Sequence, residues 1–391
     1  MSFRFDPIDF DTFHRVDLPA RLRAGNGALA APDLVGVEPI AFRLRDGRAY
    51  TYVPVEGGVE VREGDNAAGT VVELDEPVWS DFAYELRSCF GLLYADAFTF
   101  PRGGFDGLLR WEPAIRSMFD GRPLYDPATL ADIDLDRCFT LADADAELAA
   151  HLDRVGFLHV RGVFSDAEIA GLRSEVEELT AAATPDDGRS WWATRADGSP
   201  VCCRLIYLPD SSARIGALGD DPRLRRIAAL PGVPLEPTLD CLDGFSVVMK
   251  HPEVVEGLSD LPWHRDCGLG GHPVLCPSLQ IGIQLDPASA ATGRLHMLGG
   301  SHHCSSHQLD PGDERELPVV ALDTEPGDVT VHFGHLLHAA PPPTGAGPGR
   351  RALYVSYVSP ATLEYVGPGH GYNDVLFERD GTVHAVEEVL S

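Results

Sequence analysis

The segment LPWHRDCGL at residues 261–269 sets His264 and Asp266 two positions apart. On a strand, side chains at i and i+2 leave from the same face, so one imidazole and one carboxylate can reach a single metal ion. The text around this segment supports a strand reading. GFSVVMK (244–250), SLQIGIQL (278–285), DVTVHF (328–333) and ALYVSYV (352–358) are short apolar runs separated by Gly/Pro-rich turns. That pattern predicts a sandwich or barrel. Within it Gln280 and Gln284 alternate with Leu279, Ile281, Ile283 and Leu285. Such a strand has one apolar and one polar face, and the polar face is expected to line a site.

A metal held by His264 and Asp266 needs a third ligand from elsewhere. Three histidines compete in GDVTVHFGHLLHAAPPP (327–343): His332, His335 and His338. Two histidines and one carboxylate on one face of an ion form the triad of non-haem Fe(II) oxygenases, which leaves positions open for a chelating cosubstrate and oxygen. An HxD pair alone is a weak signal.

Upstream the chain divides near residues 121–140, where GRPLYDPATLADIDLD combines turn formers with weak periodicity. Before it, AFRLR, AYTYVPV and VEVRE within residues 38–75 read as strands joined by DG and GG turns. Residues 77–93 read as one helix with an apolar stripe of Val78, Phe82, Leu86 and Phe90, and residues 106–119 as another. Residues 1–135 are therefore expected to be a small α+β domain for packing or dimerisation. Residues 136–391 are expected to hold the chemistry. Past the divide, 143–156 reads as a helix running into the strand FLHVRGV. Ser165-Asp-Ala-Glu168 then reads as a capping box that opens an amphipathic helix.

Composition narrows the partners. The formal net charge is −29 over 391 residues, which repels phosphate backbones and anionic lipids. A small-molecule substrate is expected, with no nucleic-acid or membrane partner. Sequence alone does not set the oligomeric state. No apolar run approaches a bilayer-spanning length and the N-terminus lacks an apolar targeting core. Eight cysteines occur without a CxxC pair, so free thiols in a cytoplasmic protein are expected. Lys250 is the single lysine; every other Lys/Arg position is arginine.

Four ordered motifs, WHRD (263–266), ATGRLHMLGGSH (291–302), GD followed by His338, and RRALYVSY (350–357), resemble the phytanoyl-CoA dioxygenase-like family over about residues 140–360. The entry segment at 154–176 fits the same resemblance. It implies an α+β chain with a double-stranded β-helix core (jelly-roll, cupin-like) and flanking helices. It implies an Fe(II)- and 2-oxoglutarate-dependent dioxygenase that uses O2 to oxidise an unactivated C–H bond. The family's substrates range from acyl-CoA thioesters to secondary metabolites, and the net charge of −29 turns the expectation to a small metabolite from a biosynthetic pathway rather than a large polyanion such as CoA. Succinate and CO2 are the coproducts. Hydroxylation is the first expectation, with desaturation, epimerisation or cyclisation as other outcomes. Carried over by position, His264, Asp266 and His338 hold the metal, with His335 as the alternative distal ligand. Arg350, or less favourably Arg351, grips the far carboxylate of 2-oxoglutarate; Lys250 and Gln280 are further cosubstrate contacts. Trp192, Arg204 and Tyr207 are expected near substrate, in a stretch that also contains Trp191. His296, His302, His303 and His307 are read as structural or surface residues. Thr292-Gly293 and the proline-rich AAPPPTGAGPG depart from the family pattern without touching a ligand. An intact Asp266 argues against halogenation. Competing readings are a non-catalytic binding protein on this scaffold and a cupin dioxygenase independent of 2-oxoglutarate; the second has no need of Arg350. The N-terminal part faintly resembles a sterol-carrier-protein type 2 domain.

Overall fold

In the computed structural model, the alternation at residues 279–285 becomes a two-faced strand. Leu279, Ile281, Ile283 and Leu285 are fully buried in one core, among Leu148, Leu152, Ile169, Leu172 and Val176 of two helices, Asp145–Val155 and Asp166–Ala182. Gln280 and Gln284 leave from the opposite face. The structure describes residues 6–239, 244–256, 261–268, 277–305, 317–345, 347 and 349–360; His307 lies outside them.

The N-terminal unit has five strands: β1 (Ile40–Leu44), β2 (Ala49–Val55), β3 (Gly58–Glu63), β4 (Thr70–Leu74) and β5 (Phe98–Arg102). Their order is β3-β2-β1-β4-β5, with β1 and β4 parallel. Helix Phe105–Asp120 sets Trp111, Ile115, Met118 and Phe119 in a core with Phe10, Phe13, Phe42, Trp79 and Phe82. The expected single helix over 77–93 is two helices, Glu76–Ala83 and Cys89–Tyr94. Glu85 stands in left-handed backbone with φ 58°. Its buried carboxylate pairs with Arg116 and Arg122, which turns the chain out of the helix. Ser88 caps the second helix by accepting a hydrogen bond from the Gly91 N–H.

The remaining strands are β6 (Cys138–Phe139), β7 (Phe157–Val160), β8 (Ser190–Arg195), β9 (Pro200–Leu205), β10 (Glu236–Pro237), β11 (Ser246–Lys250), β12 (Val254–Glu256), β13 (Leu261–His264), β14 (Leu279–Gln284), β15 (His296–Leu298), β16 (Val319–Ala321), β17 (Val329–Phe333), β18 (His338–Ala340) and β19 (Arg350–Val358). A large sheet runs β12-β8-β9-β11-β19-β14-β17-β7-β6, with β10 beside β19; a smaller sheet runs β13-β18-β15-β16. Alternation divides the large sheet's faces. Val247, Met249, Val329, Val331, Leu353, Val355 and Tyr357 join the helix-side core. The alternate face meets the small sheet: Lys250 Nζ donates to Ala340 O at 2.5 Å, and His332 reaches Asp266. This sheet-rich α+β arrangement fits a jelly-roll core.

The capping box is present as read: Ser165 accepts from the Glu168 N–H, and the Glu168 carboxylate accepts from the Ser165 N–H at 2.8 Å. Gly156 ends helix Asp145–Val155 at φ 90°, and a Cβ there would stand 2.5 Å from both His302 Nδ1 and Leu336 Cδ1. Gly156→Ala should destabilise the fold by at least about 1–3 kcal/mol, the scale of backbone strain alone. Urea unfolding checks this.

Asp328 closes the turn before β17. Its carboxylate accepts from His159 Nε2 at 2.9 Å, Gly162 N at 2.9 Å and Glu325 N at 3.0 Å. Burial pushes its pKa up, but the His159 ring and the two backbone donors outweigh that and hold it below the usual carboxylate value. A depressed folded-state pKa gives stability that is present above the unfolded value, about 3.9, and lost as pH falls through the folded one. The urea-midpoint gap between wild type and Asp328→Asn is therefore expected to be full at neutral pH and to shrink below about pH 4.

Candidate functional site

β13 and β18 pair in the small sheet with His264 and His338 as direct partners, and their rings lie 4.2 Å apart. The chain beyond His264 crosses to the turn after β17, where the N–H groups of Asp266 and Cys267 both donate to Gly334 O, at 2.8 and 3.0 Å. This pins the Asp266 carboxylate between the two rings. Its Oδ1 lies 3.5 Å from His264 Nε2 and 3.7 Å from His338 Nε2.

Each ring is oriented by a carbonyl two residues earlier. His264 Nδ1 donates to Pro262 O at 2.8 Å and His338 Nδ1 to Leu336 O at 3.0 Å. Those bonds fix the Nε2 lone pairs towards Asp266, as outer partners of metal-binding histidines do. Burial lowers the His338 pKa to about 3, with the His264 and His332 rings adding to the effect and Asp266 opposing it. The ring is neutral at physiological pH. Burial also acts against the Asp266 anion, but the surrounding histidines hold its carboxyl well below the ordinary range. Two imidazole nitrogens and one carboxylate oxygen, all within 4.8 Å of one another, match the donor set that suits non-haem Fe(II).

The supporting layer reaches into the N-terminal unit. Ser88 Oγ and N both donate to Gly268 O, at 2.6 and 3.3 Å, two residues past Asp266. Arg265, between the two motif residues, is buried and donates to Ser301 O and Cys304 O at 2.9 and 3.0 Å. Ser301 Oγ in turn accepts from the Leu337 N–H at 2.8 Å, beside His338. The GSH turn thus carries the distal histidine's strand. His302 in that turn is structural: its Nε2–H donates to Asp153 O at 2.8 Å.

Arg350 opens β19 on the face turned to the small sheet. It is 3% exposed, and its Nε donates to Gly293 O at 2.9 Å. It also hydrogen-bonds Tyr354. Among the described residues it makes no ion pair, so a buried guanidinium fork is left for an anion. Arg351 faces the other way and is taken by Asp286 at 2.7 Å and Glu177 at 2.8 Å. Lys250 is the cross-strand partner of Arg350 and is 1% exposed. Lys250→Met keeps the stem but loses the donor to Ala340 O. It is expected to cost about 1.5–3 kcal/mol, the worth of a buried hydrogen bond to a charged group, and to raise the 2-oxoglutarate KM. Urea unfolding and succinate kinetics check the two parts.

Gln280 lies in a cross-strand row with His332 and Ser356, whose hydroxyl hydrogen-bonds the Gln280 carbonyl oxygen. Arg204 stands opposite Val248 and Trp191, with its guanidinium 4.5 Å above the Trp191 ring. Trp192 packs against the helix-side core and donates to Ser190 Oγ at 2.8 Å. Tyr207 occupies left-handed backbone at φ 54° beside Gly244. His335 lies by His302 and Phe333, outside the three-atom cluster. Two residues of the site had no assigned place. Tyr354 shares strand parity with Arg350, which was the available signal. In the sequence His332 is a rival for the distal-ligand place, and nothing there pairs it with Asp266.

The phytanoyl-CoA dioxygenase (PhyH) family model matches residues 152–352. No curated protein matches the chain. Solved structures similar to it include AviO1 from Streptomyces viridochromogenes Tue57, at 26% identity over 56% of this chain and 96% of that one, TM-score 0.44. The non-heme alpha ketoglutarate dependent carbocyclase SnoK from nogalamycin biosynthesis matches at 23% identity over 57% and 87%, TM-score 0.47. EctD from S. alaskensis with bound Fe matches at 20% identity over 62% and 84%, TM-score 0.45. No helix of the described residues is long and apolar enough to cross a membrane. Since the family match spans more than half of the 391 residues, this chain belongs to the phytanoyl-CoA dioxygenase family and is an Fe(II)- and 2-oxoglutarate-dependent oxygenase.

Proposed function

We propose that His264, Asp266 and His338 hold the Fe(II), that Arg350 anchors the far carboxylate of 2-oxoglutarate, and that the enzyme hydroxylates an unactivated C–H bond of a small metabolite. The carrying observation is the three-atom cluster within 4.8 Å, with the buried Arg350, without an ion pair among the described residues, on the facing sheet. When bound, Fe(II) with 2-oxoglutarate and O2 supplies the oxidation of the C–H bond and leaves succinate and CO2. The chain's own residues bind and orient. Pro262 O and Leu336 O hold the imidazoles in the tautomer that presents Nε2. Arg350 offers two parallel N–H bonds to a planar anion, with Tyr354 and Gly293 O fixing the fork. Lys250 and Gln280 line the same face, and Arg204 on Trp191 is positioned towards substrate. A small molecule rather than a large polyanion such as CoA fits the net charge of −29. The site is assembled on a double-stranded β-helix, with residues 1–135 as a separate packing domain that braces the loop after Asp266 through Ser88.

The deciding experiment adds Fe(II) and 2-oxoglutarate without oxygen and reads the weak visible charge-transfer band of the chelate. Wild type should show it, and Asp266→Ala and Arg350→Ala should lose it. A wild-type protein without the band would overturn the reading.

A further inference from the structure

We propose that His332 is a positioning residue for the metal centre, holding Asp266 Oδ2 so that Oδ1 alone is presented to the ion. The inference rests on the assignment of His264, Asp266 and His338 as ligands. His332 lies on β17, where Val329, Val331 and Phe333 turn to the helix-side core and leave residue 332 facing the site. The ring is 1% exposed and packs 4.4 Å from the His338 ring. Its Nε2 lies 3.4 Å from Asp266 Oδ2, whereas the oxygen nearest the other two histidines is Oδ1. Its Nδ1 is buried with no hydrogen-bond partner among the described residues. A buried N–H without an acceptor is costly, so the proton belongs on Nε2, where the carboxylate accepts it.

The two oxygens of Asp266 are thereby divided. Oδ1 faces His264 Nε2 and His338 Nε2, and Oδ2 is engaged by His332. His332 is not a member of the three-atom cluster within 4.8 Å, so it acts on the ligand rather than on the ion. A carboxylate free to rotate can take a metal through both oxygens. That would occupy one of the positions a facial triad leaves for the cosubstrate chelate and oxygen. A donor fixed on Oδ2 opposes that rotation. His332 therefore affects both how tightly the ion is held and how many positions stay open.

The test uses the full chain under anaerobic conditions with Co(II) as the probe metal, read by calorimetry and by visible absorption. His332→Phe keeps the ring and removes the donor; His332→Gln restores an N–H on a different frame. Loss of such outer partners typically weakens metal binding about 10–100-fold. His332→Phe is expected to lose that much Co(II) affinity and to change the Co(II) absorption spectrum, and His332→Gln to recover part of both. Wild-type affinity and spectrum in His332→Phe would overturn the proposal. So would a His332→Gln variant as weak as His332→Phe, since packing would then explain the loss. Asp266→Ala and His338→Ala separate this from the ligand assignment. If both still bind Co(II) like wild type, the ligand assignment has failed; if both lose it while His332→Phe does not, only the role of His332 has failed.

Discussion

Asp266→Ala should abolish turnover and weaken Fe(II) binding by more than about 100-fold, beyond the loss that removal of an outer partner produces. The expectation follows from where Asp266 sits. It is the anionic member of a cluster whose other two donors are imidazole nitrogens, and its position is set by backbone bonds to Gly334 that the substitution leaves intact. The variant should therefore fold. In the metal-free protein burial opposes the carboxylate's charge, but the surrounding histidines outweigh it and hold the carboxyl well below the ordinary range, so the ionised group adds stability at neutral pH. The metal-free variant should therefore melt somewhat lower than metal-free wild type while remaining folded. The ligand-induced part of stability behaves differently. An ion present at a hundred times its Kd stabilises by about 2.7 kcal/mol. Wild type should show a corresponding rise in Tm with Fe(II) or Co(II) in the absence of oxygen, and Asp266→Ala should show none. A metal-dependent rise retained in Asp266→Ala would remove this residue from the ligand set, whatever the turnover assay reports.

The parts of this molecule that could be read in advance are those set by local chemistry. The capping box at Ser165 and Glu168 is a four-residue signal, and it stands in the structure with both bonds made. The alternation through Leu279, Gln280, Ile281, Ile283 and Gln284 is a period-two signal, and it divides the helix-side core from the inner face as expected. His264 and Asp266 do converge, together with His338, but the strand expected to align them ends at His264, and it is the Asp266 N–H bond to Gly334 O that places the carboxylate. Features that depend on long-range partners were hidden. The break after Ala83 arises because Glu85 pairs with Arg116 and Arg122, which follow it by some thirty residues. The choice between Trp191 and Trp192 was inaccessible for a different reason. The register of β8 against β9 shifts between those two residues, so counting alternate positions cannot tell which ring turns inward. Trp191 lies under Arg204 and Trp192 joins the outer core. The contact of His332 with Asp266 joins a strand of the large sheet to the loop after β13 and has no sequence signature at all.

Arg350→Ala is expected to weaken 2-oxoglutarate binding by the equivalent of about 2–5 kcal/mol, the usual cost of truncating one partner of a buried, hydrogen-bonded charge pair. At 1.4 kcal/mol per decade that is roughly 30- to several-thousand-fold in Kd. The estimate rests on burial and on the guanidinium's surroundings. Arg350 is 3% exposed and its side chain meets a carbonyl at Gly293 and a hydroxyl at Tyr354, neither of which neutralises it. A dicarboxylate that enters the site meets a cation already desolvated and already oriented, so little of the interaction is lost to reorganisation. Arg350→Lys keeps the charge on a point donor and loses the planar fork, so it should fall between wild type and Arg350→Ala. Arg351→Ala is the matched control. Its side chain is 22% exposed and engaged by Glu177 and Asp286 on the other face. Removing it should leave the 2-oxoglutarate KM unchanged and lower stability slightly, as partly exposed ion pairs do. Titration of the anaerobic Fe(II) protein with 2-oxoglutarate, followed in the visible region, ranks the variants directly. The assignment of Arg350 requires the order wild type, Arg351→Ala, Arg350→Lys, Arg350→Ala from tightest to weakest, with the first two equal. An Arg351→Ala variant weaker than Arg350→Ala would transfer the anchor to the neighbouring residue and require β19 to turn over in the loaded enzyme.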